Sequence, residues 1–507
     1  MITAVSFGAH GGRRRRHPLR WLPLAAVLLG CLLTAGAAPI SRANEAPAHS
    51  GEGQVEVSID TSAPGAPVPS DFLGLSYEVK YLPQVASFAH RGNLVSLLRS
   101  LGPGVLRFGG VTADTQVAWL DPASIPAPSW ASTALVPQDL YELGTLARET
   151  GWRVLLTVNL GHFDPAAAAD EARVAADALG HSLEAIEIGN EPRAFVLDHL
   201  QSPPYLFSTY YAEVGAYIEA IHAAAPEVAI AGPDSASGTA NVPWTRAEAV
   251  DVHPALLTSH FYGTSCSSMP TVPFLVSRRV QTHEEHELRV LAGIGRRYHI
   301  PVRLDETNNI SCGGTPGVSD TYGAALWAVG LLTRALHAPI VGVNFHGFLS
   351  VPTGYSPLAA LTPADLAEGA ISARPEWYAL LLAHEVEGDS PLPVQIRAQG
   401  QNLAIWAGRS SRGDVHVIID NEQPPGSRPL LFNLPRAPET RAASILRLTA
   451  PSLSATSGVT LGGNAVAADG SWRPVSDLPH AKLSSSSVSV VVDPQSAALV
   501  TIERSGS

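Results

Sequence analysis

Two carboxylates stand apart from the other acids of this sequence by their surroundings. Glu191 closes Leu183-Glu-Ala-Ile-Glu-Ile-Gly-Asn-Glu-Pro192, and Glu306 follows the apolar run of Pro301-Val-Arg-Leu-Asp-Glu-Thr-Asn308. Each lies just past a segment that reads as a buried strand, with room between them for about three strand–helix units. Hydrolysis of a glycosidic C–O bond needs two carboxyl groups flanking that bond, and these usually come from distant parts of a chain. Asn-Glu-Pro at a strand end is the more specific signal, because proline fixes the backbone as it leaves the strand; a helix cap is the plain alternative for Glu191. Asp305 competes with Glu306, since neighbouring residues of a regular strand point to opposite sides.

The elements that must position them repeat as strand, helix, strand, helix. Strands are expected at Phe72–Val79, Val105–Gly110, Arg153–Leu160, Leu183–Gly189, Val228–Gly232, Leu256–Tyr262, Val302–Asp305 and Ile340–His346. Stretches with helical apolar spacing separate most of them: 94–101, 140–150, 169–179, 210–225, 283–297 and 322–336, with an eighth helix at 376–386. Residues 233–255 read as an irregular crossover. Nearly continuous apolar strands are expected where both sheet faces are covered. The fold class is therefore α/β, a (β/α)8 barrel over residues 70–386, with Glu191 ending the fourth strand and Glu306 the seventh at the C-terminal mouth. From residue 387 to 507 short β-type runs replace helices, the signature of an all-β sandwich. The alternating run 54–60 within residues 54–69 has no place in the barrel and is expected to join that second domain.

The first 38 residues have the form of a signal peptide: Arg13 to Arg16 and Arg20 precede an apolar run with small residues near its end. Residues 39–53 read as a linker, and the expected location is secreted or periplasmic, with no stable membrane insertion once the leader is cleaved. Beyond the leader only Cys266 and Cys312 remain, both expected in loops just after barrel strands, so an oxidising compartment makes one disulfide plausible. The 507-residue chain carries a net charge of −12, and its only lysines are Lys80 and Lys482. Such a surface argues against nucleic acid or heavily sulfated glycans as partners. The histidines lack metal-ligand spacing, so neither metal nor cofactor is expected; His346 reads as a packed strand-end residue.

With these residues in view, the chain resembles the clan A retaining glycosidases, and within them glycoside hydrolase family 79, the β-glucuronidases and heparanases. The resemblance rests on Asn190-Glu191-Pro192 and Glu306, and on Phe72-Leu-Gly-Leu-Ser-Tyr-Glu78, Leu106-Arg-Phe-Gly-Gly110, His260-Phe-Tyr262 and Asp305-Glu-Thr-Asn-Asn-Ile-Ser-Cys-Gly-Gly314. Leu446–Thr449 with Ala455-Thr-Ser-Gly-Val-Thr-Leu-Gly-Gly463 extends it into the C-terminal β domain. The resemblance implies that Glu191 is the acid/base and Glu306 the nucleophile, that Asn190 bonds the sugar 2-hydroxyl, and that Tyr262 donates to the nucleophile. It also implies that Glu78 faces the sugar, that Arg107 braces the carboxylates, and that Val351-Pro-Thr-Gly-Tyr-Ser-Pro357 reads a uronate, with Gly354 admitting a close backbone and Tyr355 supplying a hydroxyl.

The expected activity is exo-acting β-glucuronidase by double displacement, on a glucuronic-acid-containing carbohydrate or glucuronide. The alternatives are another clan A enzyme (arabinofuranosidase, xylanase or glucosidase-like), a heparanase-like endo-β-glucuronidase, which would be expected to carry the basic clusters this chain lacks, and a non-catalytic glycan-binding protein.

Overall fold

A computed structural model describes residues 53–350, 354–397 and 401–504. The expected leader (1–38) and all of the linker (39–53) except Gly53 lie outside the described residues. Among the described residues no helix is long and apolar enough to cross a membrane.

Eight parallel strands close into a barrel: Leu73–Glu78, Val105–Gly109, Arg153–Val158, Leu183–Ile188, Ile230–Ser235, Leu256–Thr264, Val302–Ile310 and Gly342–His346. They are the first to eighth barrel strands below. Val105, Leu155, Ala185, Ala231 and Leu256 fill the lumen at its lower end, while the outer strand faces join the main core beneath the helices. The helices begin earlier than their apolar periodicity suggests. Pro137–Thr150 and Pro165–Leu179 each start on a proline, whose fixed φ suits the first turn and whose missing N–H costs nothing there. Residues 233–255 are not irregular throughout: a helix runs Val242–Asp251, hidden from pattern reading because its apolar residues do not gather on one face.

Two antiparallel-rich sheets form the second layer pair. One orders Val394–Arg397, Gly53–Ile59, Leu430–Pro435, Ser487–Val492 and Lys482–Leu483; the other has six strands centred on Val415–Asn421 and Ser496–Arg504. Gly53–Ile59 runs parallel to Leu430–Pro435 and antiparallel to Val394–Arg397, so chain from before the barrel and chain from after it share one sheet. Val55 and Val57 point inward with Phe432, Val490 and Val417 in a separate core. The barrel's seventh helix, Tyr322–His337, ties the layers together: the Tyr322 hydroxyl donates to the Leu448 carbonyl at 2.8 Å, and His337 Nε2 meets the Ile405 carbonyl at 2.7 Å.

Candidate active site

The seventh strand corrects the expected geometry. It does not end at Asp305 but continues to Ile310, so Glu306 lies within it. Against the sixth strand the register runs Arg303↔Thr258 and then Glu306↔His260; against the eighth it runs Leu304↔Val343 and then Thr307↔Phe345. One extra residue is thus accommodated on both sides. Such a bulge breaks strict alternation, and Asp305 and Glu306 both face the lumen instead of one of them. Asp305 lies 3.5 Å from Arg107 and 3.6 Å from His260, whereas Glu306 reaches up to the cavity.

Arg107, fully buried on the second strand, is the hub. Its guanidinium donates to Glu306 (2.6 Å), Asn190 Oδ1 (2.8 Å), Asp234 (2.5 Å), Glu187 (3.1 Å) and Ser76 (3.2 Å). Because Asn190 Oδ1 is taken, its Nδ2 is the group left to donate into the cavity. His260 on the sixth strand links Glu191 Oε1 (2.7 Å, through Nδ1) to Asp234 (2.6 Å, through Nε2). Burial would strip its proton, but Glu306, Asp234 and Asp305 around it outweigh that and raise His260 well above its ordinary range. It is therefore an imidazolium donating from both nitrogens. Asp234 and Asp305 share this cage: burial pushes Asp234 well above the usual carboxylate range, whereas Asp305, against its own burial, is held below that range by its polar neighbours, the charges of His260 and Arg107 among them.

Burial also opposes charge on Glu306. His346, His260 and Arg107, together with the Tyr262 hydroxyl at 2.7 Å, outweigh it and hold the carboxyl at about 2. His346, expected only to pack, lies 3.6 Å from Glu306 and lines the cavity. Glu191 sits three residues beyond the fourth strand in left-handed backbone (φ 48°), and its amide donates to the Asp234 carbonyl. Its side chain stays about a third open to solvent. One oxygen of Glu191, one of Glu306 and a His260 nitrogen lie within 4.8 Å of one another. That set, and Asp234 with His260 and Asp305, have the spacing of metal-ligand triads. They do not fit a cation: the shared histidine spends both nitrogens as donors, and Arg107 already occupies Asp234, Asp305 and Glu306.

The cavity above holds about 690 Å³ and is lined by Glu78, Asn190, Glu191, Tyr262, Glu306 and Tyr355 among others. Glu78 Oε2 accepts from the Thr112 amide (2.9 Å) and hydroxyl (2.5 Å), leaving its other oxygen for a ligand. Tyr355 stacks on Phe348, and its hydroxyl lies 3.2 Å from that of Tyr262. Gly354 does permit a close approach, but to protein: a Cβ there would stand 1.7 Å from the Gly313 carbonyl, which also accepts from the Tyr355 amide. Residues 351–353 of that loop lie outside the described residues. Cys266 and Cys312 are disulfide-bonded, Cα–Cα 6.0 Å, joining the loops after the sixth and seventh strands at the cavity edge.

Three carboxyls of the site escape sequence reading. Asp234 follows Gly232-Pro233 and has φ 56°, so nothing marks it as strand; Glu187 sits in an apolar run whose alternation alone places it inward. Asp114 accepts from the amides of Leu160, Gly161 and Asn190 at 2.7–2.8 Å, which pins the ends of the third and fourth strands together. Burial raises it to about 6 against those three donors.

No protein-family model and no curated protein sequence matches the chain. Solved structures do. A 4-O-α-L-rhamnosyl-β-D-glucuronidase from Fusarium oxysporum 12S is 21% identical, covering 88% of this chain and 100% of its own, with a TM-score of 0.72. A GH51 arabinofuranosidase from Xanthomonas axonopodis pv. citri is 14% identical, covering 89% and 100%, at 0.65. A monomeric β-xylosidase from Caulobacter crescentus CB15 is 15% identical, covering 89% and 100%, at 0.59. These likenesses show the fold, a closed eight-stranded barrel with a β-sandwich, shared with glycoside hydrolases.

Proposed function

We propose that the protein is a retaining glycoside hydrolase, acting as an exo-β-glucuronidase of the family 79 kind. One observation carries the reading: carboxylate oxygens of Glu191 and Glu306 within 4.8 Å across the barrel mouth, close to the ~5 Å separation of retaining enzymes rather than the wider gap that leaves room for a water. Ionised Glu306 attacks the anomeric carbon and forms a glycosyl ester. The bond to the leaving oxygen breaks, and that oxygen takes the proton of Glu191. Glu191 then removes a proton from water, which attacks the same carbon and releases Glu306. Asn190 Nδ2 and Glu78 orient the sugar. The disulfide supports an extracellular or periplasmic setting.

The glucuronide preference draws support from Tyr355 at the cavity wall and from the glucuronidase among the structural neighbours. A second reading, an α-L-arabinofuranosidase, is favoured by a specific observation: among the described residues lining the cavity there is no lysine or arginine to meet a uronate. Hydrolysis of 4-nitrophenyl β-glucuronide beside 4-nitrophenyl α-L-arabinofuranoside and β-glucoside separates them. Preferential release from the glucuronide is expected; preferential release from the arabinofuranoside replaces the first reading with the second.

A further inference from the structure

The chain between the second barrel strand and Pro137 is more than a connection. Val117–Trp119 and Thr133–Leu135 pair as a small parallel sheet, which with the loop after the third strand and helix Pro165–Leu179 encloses a second cavity of about 620 Å³. Its walls are aromatic. Trp119 is held by its Nε1 donating to Asp170 at 2.8 Å, and Trp130 stacks on His162 with ring centres 3.7 Å apart. Phe163 stands at the rim, 52% exposed.

Glu171 lines this space at only 5% exposure, and its carboxyl has no hydrogen bond or ion pair with any described residue. Burial, with Asp170 beside it, pushes that carboxyl up to about 8. A buried polar group left unpaired in the free protein invites a ligand that brings donors. No lysine or arginine is among the lining residues, and burial keeps His162 neutral. Arg173 reaches Asp170 from outside but is spent there. An anion entering the cavity would meet carboxyls and no counter-charge. Flat indole faces suit the C–H faces of a sugar ring, and carboxyls suit its hydroxyls.

We propose that this cavity is a second saccharide site that takes a neutral sugar unit of the glycan whose glucuronate is cleaved in the first; the choice of ligand class rests on the glycosidase reading. The two cavities share a wall. Val79 and Ala113 face the second, whereas Glu78 and Val111 face the first, and Thr112 between them holds Glu78. The second site thus sits directly behind a substrate-facing residue.

The test is calorimetric titration of the full-length Glu306→Gln protein with galactotriose, xylotriose and arabinotriose, repeated with Trp130→Ala added. Binding of at least one trisaccharide is expected, weakened about tenfold or more by Trp130→Ala, with no Trp130-dependent binding of glucuronic acid. On the wild-type background Trp130→Ala should leave nitrophenyl glucuronide turnover unchanged. Phe163→Ala, at the exposed rim, serves as the second variant if Trp130→Ala lowers the melting temperature. No trisaccharide binding at millimolar concentration, or binding indifferent to these changes, would overturn the proposal. Because the titration needs no turnover, the two readings fail separately: a protein that binds trisaccharide here yet cleaves no glucuronide would keep the saccharide site, without its link to a glucuronate, and lose the glucuronidase reading.

Discussion

Tyr262→Phe isolates one of the forces that keep Glu306 ionised. The carboxyl is held at about 2 where 4.5 is ordinary, although burial works in the opposite direction. The difference, 4.5 − 2 = 2.5 decades, corresponds to about 3 kcal/mol in favour of the charged form. His346, His260 and Arg107 act through charge; Tyr262 acts through a 2.7 Å hydrogen bond. A hydrogen bond to a charged group contributes about 1.5–3 kcal/mol, so losing it should raise the Glu306 pKa by about one to two pH units. The acidic limb of kcat/KM against pH reports the essential base of the free enzyme. With 4-nitrophenyl β-glucuronide, or whichever nitrophenyl glycoside the protein cleaves best, that limb should move toward neutrality by that amount, with the melting temperature little changed. An acidic limb that stays in place while the variant remains folded would refute the claim that Tyr262 holds the nucleophile ionised.

Glu191→Gln should slow hydrolysis of an alkyl glycoside by about 10²–10⁴-fold while slowing the nitrophenyl glycoside far less; equal losses on both would remove Glu191 from the acid role. Cys266→Ser opens a loop of 46 residues, and the chain-entropy model puts the cost at about 4 kcal/mol; thermal melts with and without reductant should show wild type losing stability on reduction and the variant indifferent to it. Glu248 is buried and pushed up to about 8. An acid whose folded pKa is raised sheds its proton on unfolding at any pH above the ordinary 4.5, so it destabilises the protein progressively from there up to about 8. Glu248→Gln should therefore leave the melting temperature near pH 4.5 unchanged and raise it by several degrees at pH 8; the opposite pH trend would contradict the placement of that carboxyl.

The barrel is legible in the sequence because its strands are almost wholly apolar and its helices carry their periodicity openly. Glu191 is legible because Asn190 and Pro192 frame it at a strand exit, whereas Arg107 and Tyr262 are reached only through the family resemblance. What sequence reading misses lies where backbone geometry departs from the regular repeat. The bulge at Asp305 and Glu306 turns two neighbours inward at once, which strict alternation forbids. Asp234 has left-handed backbone just past a proline, where a strand pattern has already ended. Gly354 is a different case. It is read as letting the backbone come close to a ligand, and in the structure that backbone packs against the Gly313 carbonyl. The Gly110–Val136 excursion that walls the second cavity has no periodicity long enough to register.

The central claim is that Glu306 attacks the sugar directly. The measurement that tests it is peptide mass spectrometry of enzyme quenched by acid during turnover of a 2-deoxy-2-fluoro glycoside, on which the second step is slow. A mass increase of one glycosyl unit confined to the peptide containing Glu306, and absent from Glu306→Gln, is the predicted result. A label on another carboxylate, or turnover without any covalent intermediate and with release of the inverted anomer, would contradict it.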